Sequence, residues 1–190
     1  MAKSTARDQL VAGAADMLGR RGLRATSVRE LAKHSGAPLG STYHYFPGGK
    51  SQLAVEAVEF ADALTIRVLA RELDSSGPVA GLRSFVEMWR DVVVTSDFRA
   101  GCPVLAVSVE EPGEDDAPLR AAELAFEHWT DMLAESLRAH GASDADAVQT
   151  ATLIVAAIEG TVAMCRAQRS IAALDRTADA LERVVRAVID

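Results

Sequence analysis

The sequence predicts an all-α protein in which an N-terminal three-helix domain with a helix-turn-helix precedes a larger helical domain. Apolar residues recur at helical spacing along the 190 residues, and Gly, Pro or Ser residues separate the helical segments. A hydrophobic content of 49% supplies enough apolar surface for a sizeable core. We expect about nine helices in two domains, one of residues 1–50 with the start of helix 4, and one of residues 51–190.

The first two helices have clear boundaries. The first is expected over residues 5–21, with a stripe of Leu10, Val11, Ala14, Ala15, Met17 and Leu18, and ends at Gly22. Ser27 precedes the second helix and Glu30 follows three residues later, which is the spacing of a capping box. Apolar residues on one side of this helix are predicted to be buried: Val28, Leu31 and Ala32.

A tight turn leads to the third helix. The helical pattern breaks at Ser35 and Gly36, because glycine adopts a left-handed conformation without steric cost. Pro38 suits the first turn of a new helix, since its missing N–H has no intrahelical partner there. Two short helices around a glycine-bearing turn form a helix-turn-helix, whose second helix enters the major groove of DNA.

The third helix carries the side-chain chemistry that DNA contact requires. Its hydroxyl groups can bond phosphates or base edges, and a threonine methyl can contact a thymine methyl. Lys50 adds a positive charge beside the free amides at the start of the next helix. We predict DNA contacts from Ser41, Thr42, Tyr43, His44, Tyr45 and Lys50. The alternative, core tyrosines and solvated hydroxyls, accounts for single residues but less easily for the whole set.

The charge is distributed unevenly along the chain. Residues 1–50 contain eight Lys or Arg and three Asp or Glu, a net charge of +5, whereas the remaining 140 residues carry −12. A basic end on an acidic body indicates a nucleic-acid contact surface at the N-terminal end. The acidic body would repel DNA and thereby favour one binding orientation.

The middle of the chain predicts a long helix, a break and shorter elements. Helices are expected over 50–74 and 79–95, separated at 75–78, and the first connects the two domains covalently. The apolar segment 102–107 is predicted as a short helix rather than a buried strand, because only helical patterns surround it. Residues 110–116 contain five acids, and Pro-Gly without EF-hand spacing favours a solvated loop over a metal site.

Three further helices are expected over residues 117–140, 144–167 and 173–188. Ser143 caps the second of them, with Asp146 in the capping-box position. This helix is rich in small residues, including Gly160, which would let another helix approach closely. The last two helices could complete the core of their own chain or pair with their copies in a four-helix interface, and periodicity leaves both open.

The run from Gly36 to Phe46, followed by Lys50 and Leu53, resembles the DNA-binding signature of TetR-type transcriptional regulators. The segment 26–32 matches as well, so the resemblance covers roughly the first quarter of the chain, with length and helical layout beyond it. It implies further DNA contacts from Thr26, Ser27, Arg29, Pro38 and Gly40. The segments 46–50 and 101–103 resemble a branch whose members often respond to lipophilic or aromatic compounds.

The resemblance implies a homodimeric repressor that a small effector releases from a pseudo-palindromic operator in double-stranded DNA. Two copies would hold their recognition helices about 34–36 Å apart, or a multiple of it. The expected dimer contacts are Ala151, Thr152, Val155, Glu159, Gly160, Ala163, Leu181, Val184, Val185 and Val188. The expected effector contacts are Phe85, Met88, Trp89, Phe98, Cys102, Phe126, Trp129, Met132 and Met164, although a plain hydrophobic core would look much the same.

Other functional classes fit less well. A helical-bundle enzyme needs paired Glu-x-x-His motifs or a nucleophile beside a base, and the four histidines, His34, His44, His128 and His140, form no such pattern. We therefore predict no enzymatic activity, no cofactor and no metal. A DNA-binding architectural or interaction module without an effector remains the alternative.

Composition also bears on location. The two cysteines, Cys102 and Cys165, lie far apart without metal-like spacing, which is typical of buried thiols in a reducing cytoplasm. The N-terminus shows no signal peptide, and no apolar run has the length of a membrane span. We expect a cytoplasmic protein with no membrane partner.

Overall fold

The computed structural model describes residues 6–111 and 115–189, and this part of the chain forms eight α-helices and no strand. They are α1 (Ala6–Arg21), α2 (Val28–His34), α3 (Leu39–Tyr45), α4 (Gly49–Thr95), α5 (Pro103–Ser108), α6 (Ala117–Ala139), α7 (Asp144–Gln168) and α8 (Ala172–Ile189). Helix α4 is interrupted at Gly77, where φ is 78° and ψ is −174°. The predicted break is therefore confirmed, and the two parts of α4 correspond to the two helices expected there.

The chain divides into two compact units. The first unit comprises the described residues within Met1–Asp62 and Cys102–Ala125, and the second those within Ala63–Gly101 and Phe126–Asp190. The first unit thus contains α1, α2, α3 and α5 with the starts of α4 and α6. The second unit contains the remainder of α4 and α6 together with α7 and α8.

The core of the first unit forms where α1 packs against α2 and α5. The predicted stripe of α1 is buried, as are Leu31, Phe46 and Leu53, each at most 2% exposed. The capping box of α2 is also confirmed, since Ser27 Oγ accepts from Glu30 N at 3.2 Å and donates to Glu30 Oε2 at 2.9 Å. Local sequence signals and burial therefore agree for α1 and for the start of α2.

The core of the second unit contains the buried sides of α7 and α8, which pack on each other. The capping box of α7 is confirmed by the bond from Asp146 N to Ser143 Oγ at 3.1 Å. Among the described residues, α7 alone has the length and mean hydropathy of a membrane span, so the expectation that no apolar run reaches this length is wrong for α7. Half of its most apolar window is buried inside the protein. Its apolar character is thus that of a core helix in a globular protein.

A strained loop follows α4 in the second unit. Asp97 and Phe98 have φ values of 54° and 60°, which non-glycine residues seldom adopt. Arg169, after the end of α7, donates to Asp97 Oδ1 at 2.8 Å and places its guanidinium 5.7 Å from the centre of the Phe98 ring. These contacts stabilise a backbone conformation that the local sequence does not favour.

Candidate nucleic-acid interface

The helix-turn-helix is built from short elements with well-defined ends. Helix α2 is followed by Gly36, with φ of 64°, and Ala37 N donates to Ala32 O at 2.9 Å. Pro38 is extended and forms the N-cap of α3. The predicted inner face of α2 is buried, and Phe46, which caps α3, is fully buried. One side of α3 is consequently left toward solvent.

Most of the predicted DNA contacts are at least partly exposed, on α3 or on the segments before and after it. Arg29, Pro38, Gly40, Ser41, Tyr43 and His44 are exposed, and Ser27, Tyr45 and Lys50 are partly exposed. Tyr43 has the most prominent ring, with 53% of the residue exposed. The surface therefore offers two hydroxyls and an imidazole within a single helical turn.

Two predicted contacts lie inside the protein instead. Thr26 is 2% exposed and its hydroxyl donates to Gly22 O at 2.8 Å, while Thr42 is fully buried and donates to Pro38 O at 3.1 Å. Both hydroxyls thus hold local backbone, Thr26 before α2 and Thr42 along α3. The position of Thr42 follows from helical geometry, because residues two positions apart face opposite sides of a helix and the exposed Gly40 and His44 are two positions from Thr42.

The predicted phosphate ligand Lys50 has a partner within the protein. Its Nζ donates to Arg24 O at 3.2 Å, which connects the start of α4 to the turn between α1 and α2. The guanidinium of Arg24 lies 2.9 Å from Glu111 Oε2 in an exposed ion pair. The basic surface beside α2 therefore includes Arg24, which sequence reasoning did not select.

The acidic stretch that was expected to be a solvated loop contains a structural contact. Glu110 is half-buried, and its carboxylate accepts hydrogen bonds from Leu23 N at 2.5 Å and Arg24 N at 2.8 Å. Asp115 accepts a hydrogen bond from Ser51, while residues 112–114 lie outside the described part of the chain. For Glu110 the expectation is wrong, because its partners lie 86 and 87 positions away and leave no local signal.

Four of the predicted effector contacts form one aromatic cluster in the second unit. The ring centres of Phe85 and Trp89 are 6.4 Å apart, those of Phe85 and Trp129 are 6.1 Å apart, and those of Phe126 and Trp129 are 5.5 Å apart. All three pairs meet edge to face, the arrangement that aromatic quadrupoles favour. Phe85 and Trp129 are fully buried, and the indole N–H of Trp89 has no acceptor among the described residues.

The other predicted effector contacts are dispersed. Met88 accepts a weak hydrogen bond from Thr65 at 4.0 Å, and Met132 is half-buried. Phe98 lies under Arg169, and Cys102 belongs to the first unit, where its Sγ accepts from Leu105 N at the start of α5. Met164 is 48% exposed and lines a groove on α7 and α8. The structure does not place Met164 with the aromatic cluster.

The predicted dimer contacts divide into two sets. Thr152, Gly160 and Ala163 are exposed and Val184 and Val188 are half-buried, whereas Ala151, Val155, Glu159, Leu181 and Val185 are buried within the chain. A shallow groove of about 330 Å³ on α7 and α8 is lined mainly by apolar side chains, among them Leu153, Met164 and Val184. Among the described residues, no group of His, Cys, Asp and Glu could hold a metal ion.

Comparisons with known proteins agree with this arrangement. Residues 10–57 match the bacterial regulatory proteins of the tetR family, and residues 78–180 match the C-terminal domain of LmrA/YxaF-like transcriptional regulators. The chain is 38% identical over 174 residues to Rv0196 of Mycobacterium tuberculosis, an uncharacterised HTH-type transcriptional regulator, covering 89% of this chain and 88% of that protein. It is 30% identical over 164 residues to the HTH-type transcriptional regulator LmrA of Bacillus subtilis, covering 85% and 87%.

Solved structures show the same fold. The regulatory protein TetR from Rhodobacter sphaeroides has a TM-score of 0.84 at 26% identity, with 95% of this chain and 99% of that chain covered. A TetR transcriptional regulator from Legionella pneumophila has a TM-score of 0.87 at 17% identity, with 96% and 98% covered. Because the C-terminal match alone spans more than half of the chain, the protein belongs to the TetR family of DNA-binding transcriptional regulators, not to an enzyme family.

Proposed function

We propose that the protein is a cytoplasmic, homodimeric repressor that binds a pseudo-palindromic operator and leaves it when a small lipophilic or aromatic effector binds. Residues 1–50, with the start of α4, form the DNA-binding domain, and those of residues 51–190 that belong to the second unit bind the effector and form the dimer. The observation that carries the proposal is the outer face of α3, where Ser41, Tyr43 and His44 are exposed beside a well-packed inner face.

The exposed residues of α2 and α3 divide the DNA contacts between them. Tyr43 and His44 present hydrogen-bonding groups to base edges in the major groove, where such contacts distinguish base pairs. Ser41 and Arg29 bind backbone phosphates, and Lys50 adds a phosphate contact from the start of α4. The two buried threonines, Thr26 and Thr42, act indirectly by holding the backbone that presents these groups.

The exposed side of α7 and α8 supports the dimer. A Cβ built at Gly160 meets no described atom of its own chain within 4 Å, so the space beside it is open to another helix. Leu153 and Met164 are 46% and 48% exposed, which is unusual for large apolar side chains that lie near each other on one face. Pairing this face with its copy would bury these groups and give a two-fold symmetric dimer.

The aromatic cluster supports an effector site in the second unit. A buried N–H without an acceptor costs free energy unless a ligand or water supplies one. The indole N–H of Trp89 is such a group among the described residues. We therefore assign Trp89 a hydrogen bond to an oxygen or nitrogen acceptor on the otherwise apolar effector. The effector binds more tightly to a dimer whose recognition helices are wrongly spaced for the operator. This preference links the effector site to the DNA site, typically with a coupling free energy of about 1–3 kcal/mol.

Selection of bound genomic fragments, followed by fluorescence anisotropy with purified protein, tests the proposal. We expect one pseudo-palindromic site to bind far more tightly than random duplex, and a lipophilic compound with an acceptor group to release it. A protein that binds all duplexes equally at physiological salt contradicts the DNA part of the proposal. Binding to one site that no compound affects contradicts the effector part alone.

The second candidate is an architectural DNA-binding module without an effector. It is favoured by the packing of Phe85 and Trp129, which are fully buried like ordinary core residues. Thermal-shift measurements against a panel of lipophilic compounds, with operator present and absent, separate the two candidates. Unchanged melting temperatures across the panel would favour the module.

A further inference from the structure

The turn between α1 and α2 is held by a carboxylate from a distant part of the first unit. Leu23 N donates to Oε1 of Glu110 at 2.5 Å, and Arg24 N donates to Oε2 of the same side chain at 2.8 Å. Successive backbone N–H groups directed at one anion form a compact binding site, and hydrogen bonds to a charged acceptor are stronger than neutral ones. One side chain therefore fixes two neighbouring peptide groups.

The turn is shaped to accept this carboxylate. Gly22 has a φ of 79°, and a Cβ added there would collide with Oε1 of Glu110. Thr26 closes the turn by donating from its hydroxyl to Gly22 O at 2.8 Å and from its N–H to Leu23 O at 3.0 Å. The turn then leads directly to Ser27, the N-cap of α2. Its conformation thus sets the direction in which the helix-turn-helix begins.

The same turn is connected to two other helices. Arg24 O accepts a hydrogen bond from Lys50 Nζ at the start of α4. The backbone N–H and C=O of Arg24 are thus both bonded to side chains outside α1 and α2. Glu110 follows α5 closely, and its own N–H donates to Val107 O at 3.3 Å. We name Glu110, Gly22, Leu23, Arg24 and Lys50 the Glu110 joint. It links the end of α5, the start of α4 and the entry to the helix-turn-helix.

We propose that Glu110 is a positioning residue for operator binding, whose carboxylate orients α2 and α3 by holding the turn that precedes them. The inference rests on the proposed DNA-binding function and extends it to a residue outside the helix-turn-helix. An acidic residue near DNA ordinarily weakens binding by repelling phosphates. Glu110 strengthens specific binding, because its charge is engaged by backbone N–H groups within the Glu110 joint.

Glu111 is the matched control on the adjacent position. It carries the same charge, but its side chain is 80% exposed and its partner Arg24 is 70% exposed, 2.9 Å away. Exposed ion pairs of this kind contribute little to stability. Glu110→Gln and Glu111→Gln each remove one negative charge per chain, but only Glu110→Gln places an amide NH₂ against a backbone N–H. The comparison therefore separates positioning from charge.

The test measures the ratio of operator affinity to random-duplex affinity for the full-length variants. We expect Glu110→Gln to lower this ratio about tenfold, because α2 and α3 lose their orientation while phosphate attraction is retained. Glu111→Gln should leave the ratio unchanged and raise both affinities by no more than about twofold. Amide hydrogen exchange at Leu23 and Arg24 should accelerate at least about tenfold in Glu110→Gln only.

Glu110→Asp provides a second variant if Glu110→Gln does not fold. It keeps the charge but shortens the side chain by one methylene group, so it should also lose the two-point contact and lower the ratio. A wild-type ratio in Glu110→Asp or Glu110→Gln overturns the inference, as does an equal loss in Glu111→Gln. Failure of the proposed function is recognised separately, because the wild-type ratio itself is then near one, and the inference falls with it.

Discussion

The outer face of α3 and the aromatic cluster of the second unit differ in how directly they indicate function. On α3 the side chains of Ser41, Tyr43 and His44 are exposed to solvent, whereas Thr42 on the same helix is buried. In the aromatic cluster, Phe85 and Trp129 are buried as core residues would be. Exposed polar chemistry on a rigid helix thus indicates a partner, whereas buried apolar chemistry serves packing and binding equally well.

The largest expected effect is on operator binding by the outer face of α3. Tyr43→Ala should weaken operator binding about hundredfold, because each base contact contributes about 1–3 kcal/mol and a dimer makes it twice. The melting temperature should hardly change, since the ring is 53% exposed. Fluorescence anisotropy on operator and random duplex measures the loss. Val94→Ala, at an exposed position of α4 in the second unit, is the control.

Tyr43→Phe sharpens the same contrast. It retains the ring and removes the hydroxyl, so an intermediate loss assigns part of the contact to a hydrogen bond. Wild-type operator affinity in Tyr43→Ala would show that the outer face of α3 is not the contact surface.

The next effect concerns the exposed side of α7. Gly160→Gln should raise the dimer dissociation constant at least about tenfold, since overpacking a close helix contact typically costs about 1–3 kcal/mol. A Cβ at this position meets no described atom of its own chain within 4 Å, so the monomer should stay folded. Sedimentation velocity measures the mass, with Ala139→Gln at the exposed end of α6 as control. An unchanged dimer would place the interface elsewhere.

A smaller effect separates binding from packing in the aromatic cluster. Trp89→Phe should raise the effector concentration needed for release about fivefold, because a smaller aromatic ring stays in the cluster while the N–H and its hydrogen bond of about 1 kcal/mol are lost. Operator affinity without effector should stay the same. Phe85→Leu is the packing control and should lower the melting temperature in addition to weakening the effector response. Equal losses of stability and response in Trp89→Phe would mean that the cluster is only core.

The smallest effect concerns stability at acid pH. Arg83 donates to both oxygens of Glu182, at 2.8 and 2.9 Å, and with Arg186 it holds the pKa of that carboxyl below its ordinary value of 4.5. A carboxyl whose pKa is lowered on folding stabilises the folded state at pH values above its ordinary pKa. This contribution is lost as the pH falls through the folded-state pKa. Glu182→Gln should therefore lower the melting temperature slightly near neutral pH, and the difference from the wild type should disappear once the pH is below the folded-state pKa.

The control for this prediction is Asp179→Asn, which also removes one negative charge, at an exposed position of α8. A deficit in Glu182→Gln that persists in acid would show that the carboxylate contributes by packing rather than by charge.

Local features of the fold were predictable because their causes lie within a few residues. The Ser27 and Ser143 caps, the break at Gly77 and the short helix after Cys102 all follow from spacing and turn chemistry. The candidate DNA contacts on and beside α3 were selected by their side-chain chemistry, and the five others by the resemblance to TetR-type regulators. Thr42 shows the limit, since a residue type suited to DNA contact lies on the buried side of α3.

Features that depend on distant contacts could not be predicted. The positive φ values of Asp97 and Phe98 depend on Arg169, which lies 72 residues beyond Asp97. Glu110 belongs to an acidic run whose composition favours solvent, and only the fold brings it to Leu23 and Arg24. Met164 is a residue type common in apolar pockets, but it is exposed, because its position along α7 and not its residue type decides which way its side chain points.

In the proposed complex, two copies of the α2–α3 surface dock together on one duplex. Sedimentation of the purified protein with a selected pseudo-palindromic fragment, alongside a random duplex of equal length at physiological salt, tests it most directly. We expect a multiple of two chains on each selected duplex, with an affinity at least about 10³-fold above that for random DNA. A monomeric protein that binds both duplexes equally would contradict it.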